Sequence, residues 1–88
     1  RPPVFEDVAE VCFFTRSNFR GDSFCVEEGE TIRRLDRRWN DEISSFRNPD
    51  GLRVTVCRDR DLERCRTYTS SARSLGALDS AISSLRVR

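Results

Sequence analysis

Alternation of apolar and polar residues recurs along the chain and predicts short β-strands. Apolar side chains occupy every second position at Val11 and Phe13, Phe24 and Val26, Leu52 to Val56, and Leu85 and Val87. A period of two carried by β-branched and aromatic residues is typical of half-buried strands. The pattern predicts strands near residues 9–15, 22–27, 31–35, 43–47, 52–58, 64–69 and 82–87, with short helical turns at 36–41 and 72–78.

The second half of the chain repeats the first. Asn-Asp-Glu-Ile-Ser-Ser-Phe-Arg at 40–47 recurs as Asp-Ser-Ala-Ile-Ser-Ser-Leu-Arg at 79–86, and a cysteine-bearing hairpin precedes each copy. Two halves of about four strands, neither able to hold a core alone, predict paired Greek keys packed face to face as one all-β sandwich. We expect an N-terminal extension at 1–10 and a single domain at 11–88, with Greek keys at about 11–48 and 52–88.

Four cysteines in a chain of 88 residues predict two disulfides. Each pair flanks a predicted hairpin turn, which favours the local bridges Cys12–Cys25 and Cys57–Cys65. Disulfides indicate an oxidising compartment, so we expect a secreted or periplasmic protein. The chain opens on Arg-Pro-Pro without Met, as a mature or excised fragment would.

The remaining composition argues against several classes of function. Histidine is absent, which removes the commonest general base and transition-metal ligand, so we expect no enzyme. The formal net charge is +1, which provides no strong field for nucleic acid, and no apolar run approaches the ~20 residues of a membrane span. Arginines at 33–34 and 37–38 stand beside Trp39, but acidic neighbours indicate a solvated surface there.

One acidic stretch imitates a known calcium loop without meeting its requirements. Asp59, Asp61 and Glu63 alternate as at the start of an EF-hand loop. Arg64 stands where that loop requires glycine, and Ser70 stands where it requires glutamate. We interpret the stretch as an exposed charged turn.

Two other motifs point to a family. Phe14 to Gly21 follows an aromatic–x4–aromatic–x–Gly pattern, and residues 40–45 follow Asn/Asp–Asn/Asp–x–x–Ser–Ser. The second motif groups carboxylate, amide and hydroxyl oxygens, the ligands that calcium prefers, around one apolar anchor, Ile43 or Ile82. Together the motifs resemble those of βγ-crystallin domains over about residues 11–87. The resemblance implies a βγ-crystallin-like sandwich in which two Ca²⁺ ions are held between neighbouring loops.

The same resemblance implies a set of ligands. Their side-chain or carbonyl oxygens belong to Thr15, Asn40, Asp41, Glu42, Ser44, Arg58, Asp79, Ser80, Ala81 and Ser83. Ser45 and Ser84 would be structural, bonding back to the folded hairpins. The second half departs from the pattern at Cys57, Leu62, Arg64 and Ser80. We therefore expect two sites of unequal strength.

Three functions fit these expectations. The first is a monomeric calcium-binding module whose two ions stiffen a secreted domain. The second is a protease inhibitor, because small secreted microbial metalloproteinase inhibitors share this fold and resemble the chain in its two-cysteine hairpins. The rigid hairpin closed by Cys57 and Cys65 would then present residues 58–64 to the protease. The third is an adhesion or surface-binding module.

Overall fold

Seven β-strands carry the alternating pattern in a computed structural model, which describes residues 8–88. The strands are β1 (Glu10–Arg16), β2 (Arg20–Glu27), β3 (Thr31–Ile32), β4 (Ser45–Arg47), β5 (Val54–Asp59), β6 (Glu63–Tyr68) and β7 (Ser84–Val87). Short 3₁₀ turns follow β5 at Arg60–Leu62 and precede β7 at Gly76–Leu78. All seven predicted strands are confirmed. The greater part of the predicted extension, residues 1–7, lies outside the described residues.

The strands form two antiparallel sheets. One has the order β2-β1-β4 and the other the order β3-β7-β5-β6. β3 thus belongs to the first half of the chain but joins the second half's sheet, where Ile32 lies opposite Leu85. In return, Ala72 of the second half bridges to Phe46 of β4. The predicted sandwich is confirmed, with the refinement that each half contributes a segment to the other half's sheet.

Three strands, β3, β4 and β7, are at least two residues shorter than the sequence predicts because their backbones bond elsewhere. β7 begins at Ser84 and not at 82, because the Ile82 carbonyl accepts from Asp41 N–H. β3 ends at Ile32 and not at 35: the Arg33 carbonyl accepts a hydrogen bond from Asp61 N–H at 2.8 Å, and Leu35 N–H donates to the Ser83 carbonyl at 2.9 Å. β4 begins at Ser45 and not at 43, because the Ile43 carbonyl accepts from Ser80 N–H in the second half. Residues 33–44 are therefore a connecting loop that contacts both halves.

The core lies between the two sheets. It contains Val11, Phe13, Val26, Leu35, Ile43, Phe46, Val54, Val56, Ala72, Leu75, Leu78, Ile82, Leu85 and Val87. Ile43 and Ile82 are fully buried, as expected for anchors of the two loops. Burying an aliphatic side chain of this size stabilises by roughly 1.5–3 kcal/mol, so each anchor ties its polar loop firmly to the core. No helix within residues 8–88 has the length and apolar character needed to cross a membrane.

Candidate functional site

Both hairpins are closed by the predicted disulfides. Cys12 lies opposite Cys25 in the β1–β2 register and Cys57 lies opposite Cys65 in the β5–β6 register, and each pair is bonded. Glu10 approaches the first pair closely enough to suggest a metal cluster. Because the two sulfur atoms are bonded to each other, they offer no thiolate, and that cluster has no metal-binding chemistry.

A serine holds the corner of each hairpin. The Ser45 hydroxyl accepts a hydrogen bond from Phe19 N–H at 3.1 Å and donates to the Arg16 carbonyl. The Ser84 hydroxyl accepts from Leu62 N–H at 3.0 Å and donates to the Asp59 carbonyl. Both hydroxyls therefore saturate backbone groups of the folded turn, which is the structural role expected of these two serines.

Left-handed backbone conformations recur at equivalent places in the two halves. They occur at Asn18 and Phe19 against Asp61 and Leu62, at Asp41 against Ser80, and at Gly21 against Arg64. Such conformations are costly for any residue with a Cβ, roughly 1–2 kcal/mol each. Because equivalent positions of the two halves share this costly conformation, the internal repeat extends to the backbone, even where the residue types differ.

The two Asn/Asp–Ser loops lie side by side and are bonded to each other. Asp41 N–H donates to the Ile82 carbonyl at 3.0 Å, and Ser80 N–H donates to the Ile43 carbonyl at 3.0 Å. The exchange is reciprocal, so each loop's opening residues lie beside the other loop's apolar anchor. The structure thus brings the opening residues of each predicted motif to the serines of the other half.

Each loop is also joined to its own hairpin. Ser44 N–H donates to the Phe14 carbonyl at 2.9 Å, and Ser83 N–H donates to the Cys57 carbonyl at 2.8 Å. The β1–β4 pairing ends at Phe14, and the β5–β7 pairing ends at Cys57. Thr15 and Arg58 are therefore the first residues beyond these paired segments. They follow the residues that bond to Ser44 and Ser83, the serines with which the sequence groups them as calcium ligands.

The neighbouring serines of each pair differ in their bonding. Ser45 and Ser84 use their hydroxyls fully, whereas the hydroxyls of Ser44 and Ser83 make no hydrogen bond to another residue within 8–88. Ser44 is nevertheless buried, with 6% of its surface exposed. Within residues 8–88 the only buried side-chain polar atom without a partner is Arg86 Nε, so the Ser44 hydroxyl oxygen is accessible, and an accessible oxygen with spare lone pairs can ligate a cation.

The carboxylates of the two loops are unevenly distributed. Asp41 and Glu42 stand on the first loop and Asp79 on the second, all exposed and without a salt bridge to any described residue. The Asn40 amide donates to Asp41 Oδ2 at 3.3 Å. Ser80 supplies a neutral hydroxyl where Asp41 supplies a charge. The donor set is all oxygen, as a hard divalent ion requires, and it is richer in charge on the first loop.

The second hairpin, residues 54–68, forms a rigid exposed surface that we call the stapled hairpin. Its strand β6 is at the edge of the four-stranded sheet, and Glu63 to Thr67 are all exposed. Arg64 Nε and Nη2 donate to the two Asp59 carboxylate oxygens at 2.7 and 3.0 Å. The hydrogen bond from Arg64 holds the pKa of the Asp59 carboxyl below its ordinary value. The hairpin is thus fixed by a disulfide, a buried serine and an ion pair.

The N-terminal three quarters of the chain match a known family. The model of peptidase inhibitor family I36 matches residues 7–74, which include both disulfides, the first loop and the whole stapled hairpin. The chain belongs to peptidase inhibitor family I36. No curated protein matches the sequence at a significant level.

Solved structures show that this I36 chain has the βγ-crystallin fold. The N-terminal domain of Protein S superposes with a TM-score of 0.79 at 23% identity, covering 91% of this chain and 96% of that chain. A βγ-crystallin domain from Flavobacterium johnsoniae gives 0.76 at 22%, covering 89% and 92%. A double mutant of a Clostridium beijerinckii βγ-crystallin domain gives 0.78 at 24%, covering 89% and 94%. The resemblance drawn from the two motifs is confirmed.

Two features of this I36 member were missed by sequence reasoning. The ion pair between Asp59 and Arg64 joins the two strands of the stapled hairpin, yet the sequence shows only a charged turn. The edge position of β6 was also missed, although charged residues at successive positions of a strand are a recognised signal of an edge. The unusual composition of residues 63–66, Glu-Arg-Cys-Arg, carried that signal.

Proposed function

We propose that the chain is a peptidase inhibitor that binds its target through the stapled hairpin. The observation that carries the proposal is the family match, which includes this hairpin entirely. The sequence alone favours calcium binding over peptidase inhibition. Membership of the inhibitor family supports peptidase inhibition as the first candidate function. The two disulfides support secretion into the oxidising environment where such an inhibitor would meet peptidases.

The edge strand β6 is the part of the stapled hairpin that can bind an extended partner. A sheet edge presents unpaired N–H and C=O groups, and an extended partner can add to it as a further strand. β6 offers six residues of this kind, and its outward side chains include Arg64 and Arg66. The Cys57–Cys65 bridge and the Ser84 bonds hold the strand in place before binding. A surface already ordered loses less conformational entropy on association, which favours tight inhibition.

Titration of a panel of metallopeptidases and serine peptidases with the purified chain tests this proposal. We expect at least one enzyme to be inhibited at a stoichiometry near one to one. A second arm uses Cys57→Ala with Cys65→Ala, and the matched control uses Cys12→Ala with Cys25→Ala. Loss of inhibition only in the Cys57 and Cys65 double variant, with the protein still folded at the assay temperature, supports the stapled hairpin as the surface that contacts the peptidase. Equal losses, or no inhibition across the panel, would overturn it.

A second candidate function, binding of two calcium ions, has its own supporting observation. The reciprocal backbone bonds join Asp41 to Ile82 and Ser80 to Ile43, and the hydroxyls of the adjacent Ser44 and Ser83 make no hydrogen bond to another residue within 8–88. We propose that Ser44 and Ser83, with the carbonyls of Thr15, Glu42, Arg58 and Ala81, hold the ions together with Asn40, Asp41, Asp79 and Ser80. Calcium would supply charge neutralisation and a link between the two halves. Binding to the folded state alone stabilises it by mass action.

Thermal unfolding in millimolar calcium and in chelator tests this candidate. We expect a higher melting temperature with calcium. Ser44→Ala combined with Ser83→Ala should remove that increase and leave the melting temperature in chelator nearly unchanged. Ser45→Ala combined with Ser84→Ala is the contrasting pair, because loss of its corner bonds should lower the melting temperature in both conditions. If calcium gives no increase, or if the first pair keeps it, the ions are not held as proposed.

A further inference from the structure

A cleft of about 490 Å³ opens between the connecting loop and the turn of the stapled hairpin. It is lined by Arg34, Leu35, Asp36, Arg37, Asn40 and Arg60. The backbone bond from Asp61 N–H to the Arg33 carbonyl fixes the two walls relative to each other. The cleft is thus a built concavity whose lining includes three guanidinium groups and one carboxylate.

The charges of these three arginines are not engaged, unlike those of the nearby Arg38, Arg58 and Arg64. Arg38 pairs with Asp22 and lies over the Trp39 ring, and Arg64 pairs with Asp59. The guanidinium of Arg58 donates to the Ala77 carbonyl. Arg34, Arg37 and Arg60 have no salt bridge or side-chain hydrogen bond to any residue within 8–88. The side chains in the cleft therefore leave a net positive charge available to a ligand.

The fold does not require charge at this place. Asn18 N–H donates to the Arg73 carbonyl in the other half, as Asp61 N–H donates to the Arg33 carbonyl here. By this correspondence, Ser17, Ser74 and Ala77 stand where Arg60, Arg34 and Arg37 line the cleft. The equivalent positions of the first corner thus carry no charge at all. Three arginines converging on one corner alone are a feature of this surface and not of the Greek key.

We propose that the cleft binds a saccharide or polyol carrying two or more sulfate or phosphate esters. Guanidinium groups form forked, charge-assisted hydrogen bonds with such oxyanions. The volume lies within the range of small-molecule sites, roughly 300–1,000 Å³, and is much larger than one inorganic anion needs. Asn40 adds an amide that suits hydroxyl groups of the ligand. The cleft shares Arg60 with the stapled hairpin and Asn40 with the proposed calcium loops, whereas Arg34 and Arg37 belong to neither.

Titration calorimetry at about 50 mM salt tests the proposal with two probes. One is a sulfated heparin disaccharide and the other is inositol hexakisphosphate, with the unsulfated disaccharide as the neutral control. The cleft variant combines Arg34→Gln, Arg37→Gln and Arg60→Gln. The matched variant combines Arg20→Gln, Arg53→Gln and Arg73→Gln, which removes the same charge from exposed arginines elsewhere. Both variants should melt as the parent does, since all six side chains are exposed.

We expect binding of a charged probe to weaken more than tenfold in the cleft variant and less than about threefold in the matched variant. Binding of only one probe identifies the ester as sulfate or as phosphate. Equal weakening in the two variants would mean that affinity follows net charge, and it would overturn the site. Absence of binding by both charged probes, or equal binding of the unsulfated disaccharide, would also overturn it.

Discussion

The two Greek keys have the same backbone conformation at their corners, but the side chains there differ. In the first corner Phe14 and Phe19 pack edge to face with ring centroids 6.0 Å apart, and Gly21 takes the left-handed position. Cys57, Leu62 and Arg64 occupy the equivalent places in the second corner. Both corners keep the same serine bonds and the same left-handed residues. Hydrogen bonds to the backbone therefore define the corner. The aromatic pair that packs in the first corner can be replaced by a disulfide and an ion pair.

This exchange changes which residues are available to a partner. Both hairpins present an exposed edge strand, β2 in the first and β6 in the second, but only β6 leads from a corner closed by a disulfide and an ion pair. Arg64 and Cys65 of β6 hold the second corner, whereas the exposed side chains of Glu63 and Arg66 make no salt bridge or hydrogen bond to another residue within 8–88. We therefore propose that the half that departs from the βγ-crystallin pattern is the one that recognises a partner.

Removal of the disulfides should cause the largest loss of stability in either hairpin. The bridges span 13 and 8 residues, and loop closure alone gives about 3 and about 2.5 kcal/mol of stability. Cys57 is also fully buried at the corner position that an aromatic ring would fill. We therefore expect Cys57→Ala with Cys65→Ala to cost at least as much as Cys12→Ala with Cys25→Ala. Urea unfolding measures both, and a clearly smaller cost for the second bridge would contradict its role as a substitute for aromatic packing.

Exchange at the left-handed corner position should give a smaller and asymmetric effect. An alanine Cβ at Gly21, where φ is 84°, would lie too close to the Thr15 hydroxyl, so we expect Gly21→Ala to cost about 2–3 kcal/mol. Arg64 already accepts the conformation, with φ at 56°. Arg64→Gly should change stability by less than about 1 kcal/mol, because relief of strain offsets the lost ion pair. If urea unfolding showed that Arg64→Gly loses as much stability as Gly21→Ala, the two left-handed positions would not be equivalent.

The two proposed calcium sites should differ in affinity. Asp41 provides a carboxylate where Ser80 provides a hydroxyl, and affinity in calcium loops depends on ligand charge. We expect two unequal sites and a gain of on the order of ten-fold at the weaker one in Ser80→Asp, about 1.4 kcal/mol. Isothermal titration of both proteins decides this. Two equal sites in the parent chain, or no gain in the variant, would leave Ser80 as a turn residue only.

The smallest effect is expected at the ion pair of the second corner. Arg64 lowers the pKa of Asp59, so the ionised carboxylate favours the folded state. That contribution is complete above the ordinary pKa of 3.8 and is lost as the pH falls through the lower value in the folded protein. Because the pair is exposed, the effect is small and screened by salt. Asp59→Asn should slightly destabilise the protein at pH 7 and hardly at all near pH 2, as measured by urea unfolding.

Local chemistry explains why most of the fold was predictable from the sequence. Alternation located four of the seven strands, β1, β2, β5 and β7, and the flanked turns located both disulfides. The repeated Asn/Asp–Ser motif identified the loops, and the first corner's aromatic spacing identified the family of folds. Each of these signals depends on residues close together in the chain, where side-chain chemistry and backbone geometry are directly linked.

The remainder depended on contacts between distant segments. Exchange of β3 into the second sheet requires Arg33 and Leu35 to bond with residues 61 and 83, and no local pattern records such a pairing. The reciprocal bonds between the loops, and the convergence of Arg34, Arg37 and Arg60, arise in the same way. Edge exposure of β6 also follows only from the order of strands in the sheet. Long-range pairing thus explains what sequence reasoning missed.

We propose that the stapled hairpin of this I36 member, and not its aromatic counterpart, contacts the peptidase. Arg66 on β6 and Arg20 on β2 are exposed arginines on the edge strands of the two hairpins. The decisive measurement is the inhibition constant of Arg66→Glu and of Arg20→Glu against a peptidase that the parent chain inhibits. We expect Arg66→Glu to weaken inhibition at least tenfold and Arg20→Glu to change it less than twofold. Equal effects, or a larger loss for Arg20→Glu, would contradict the account.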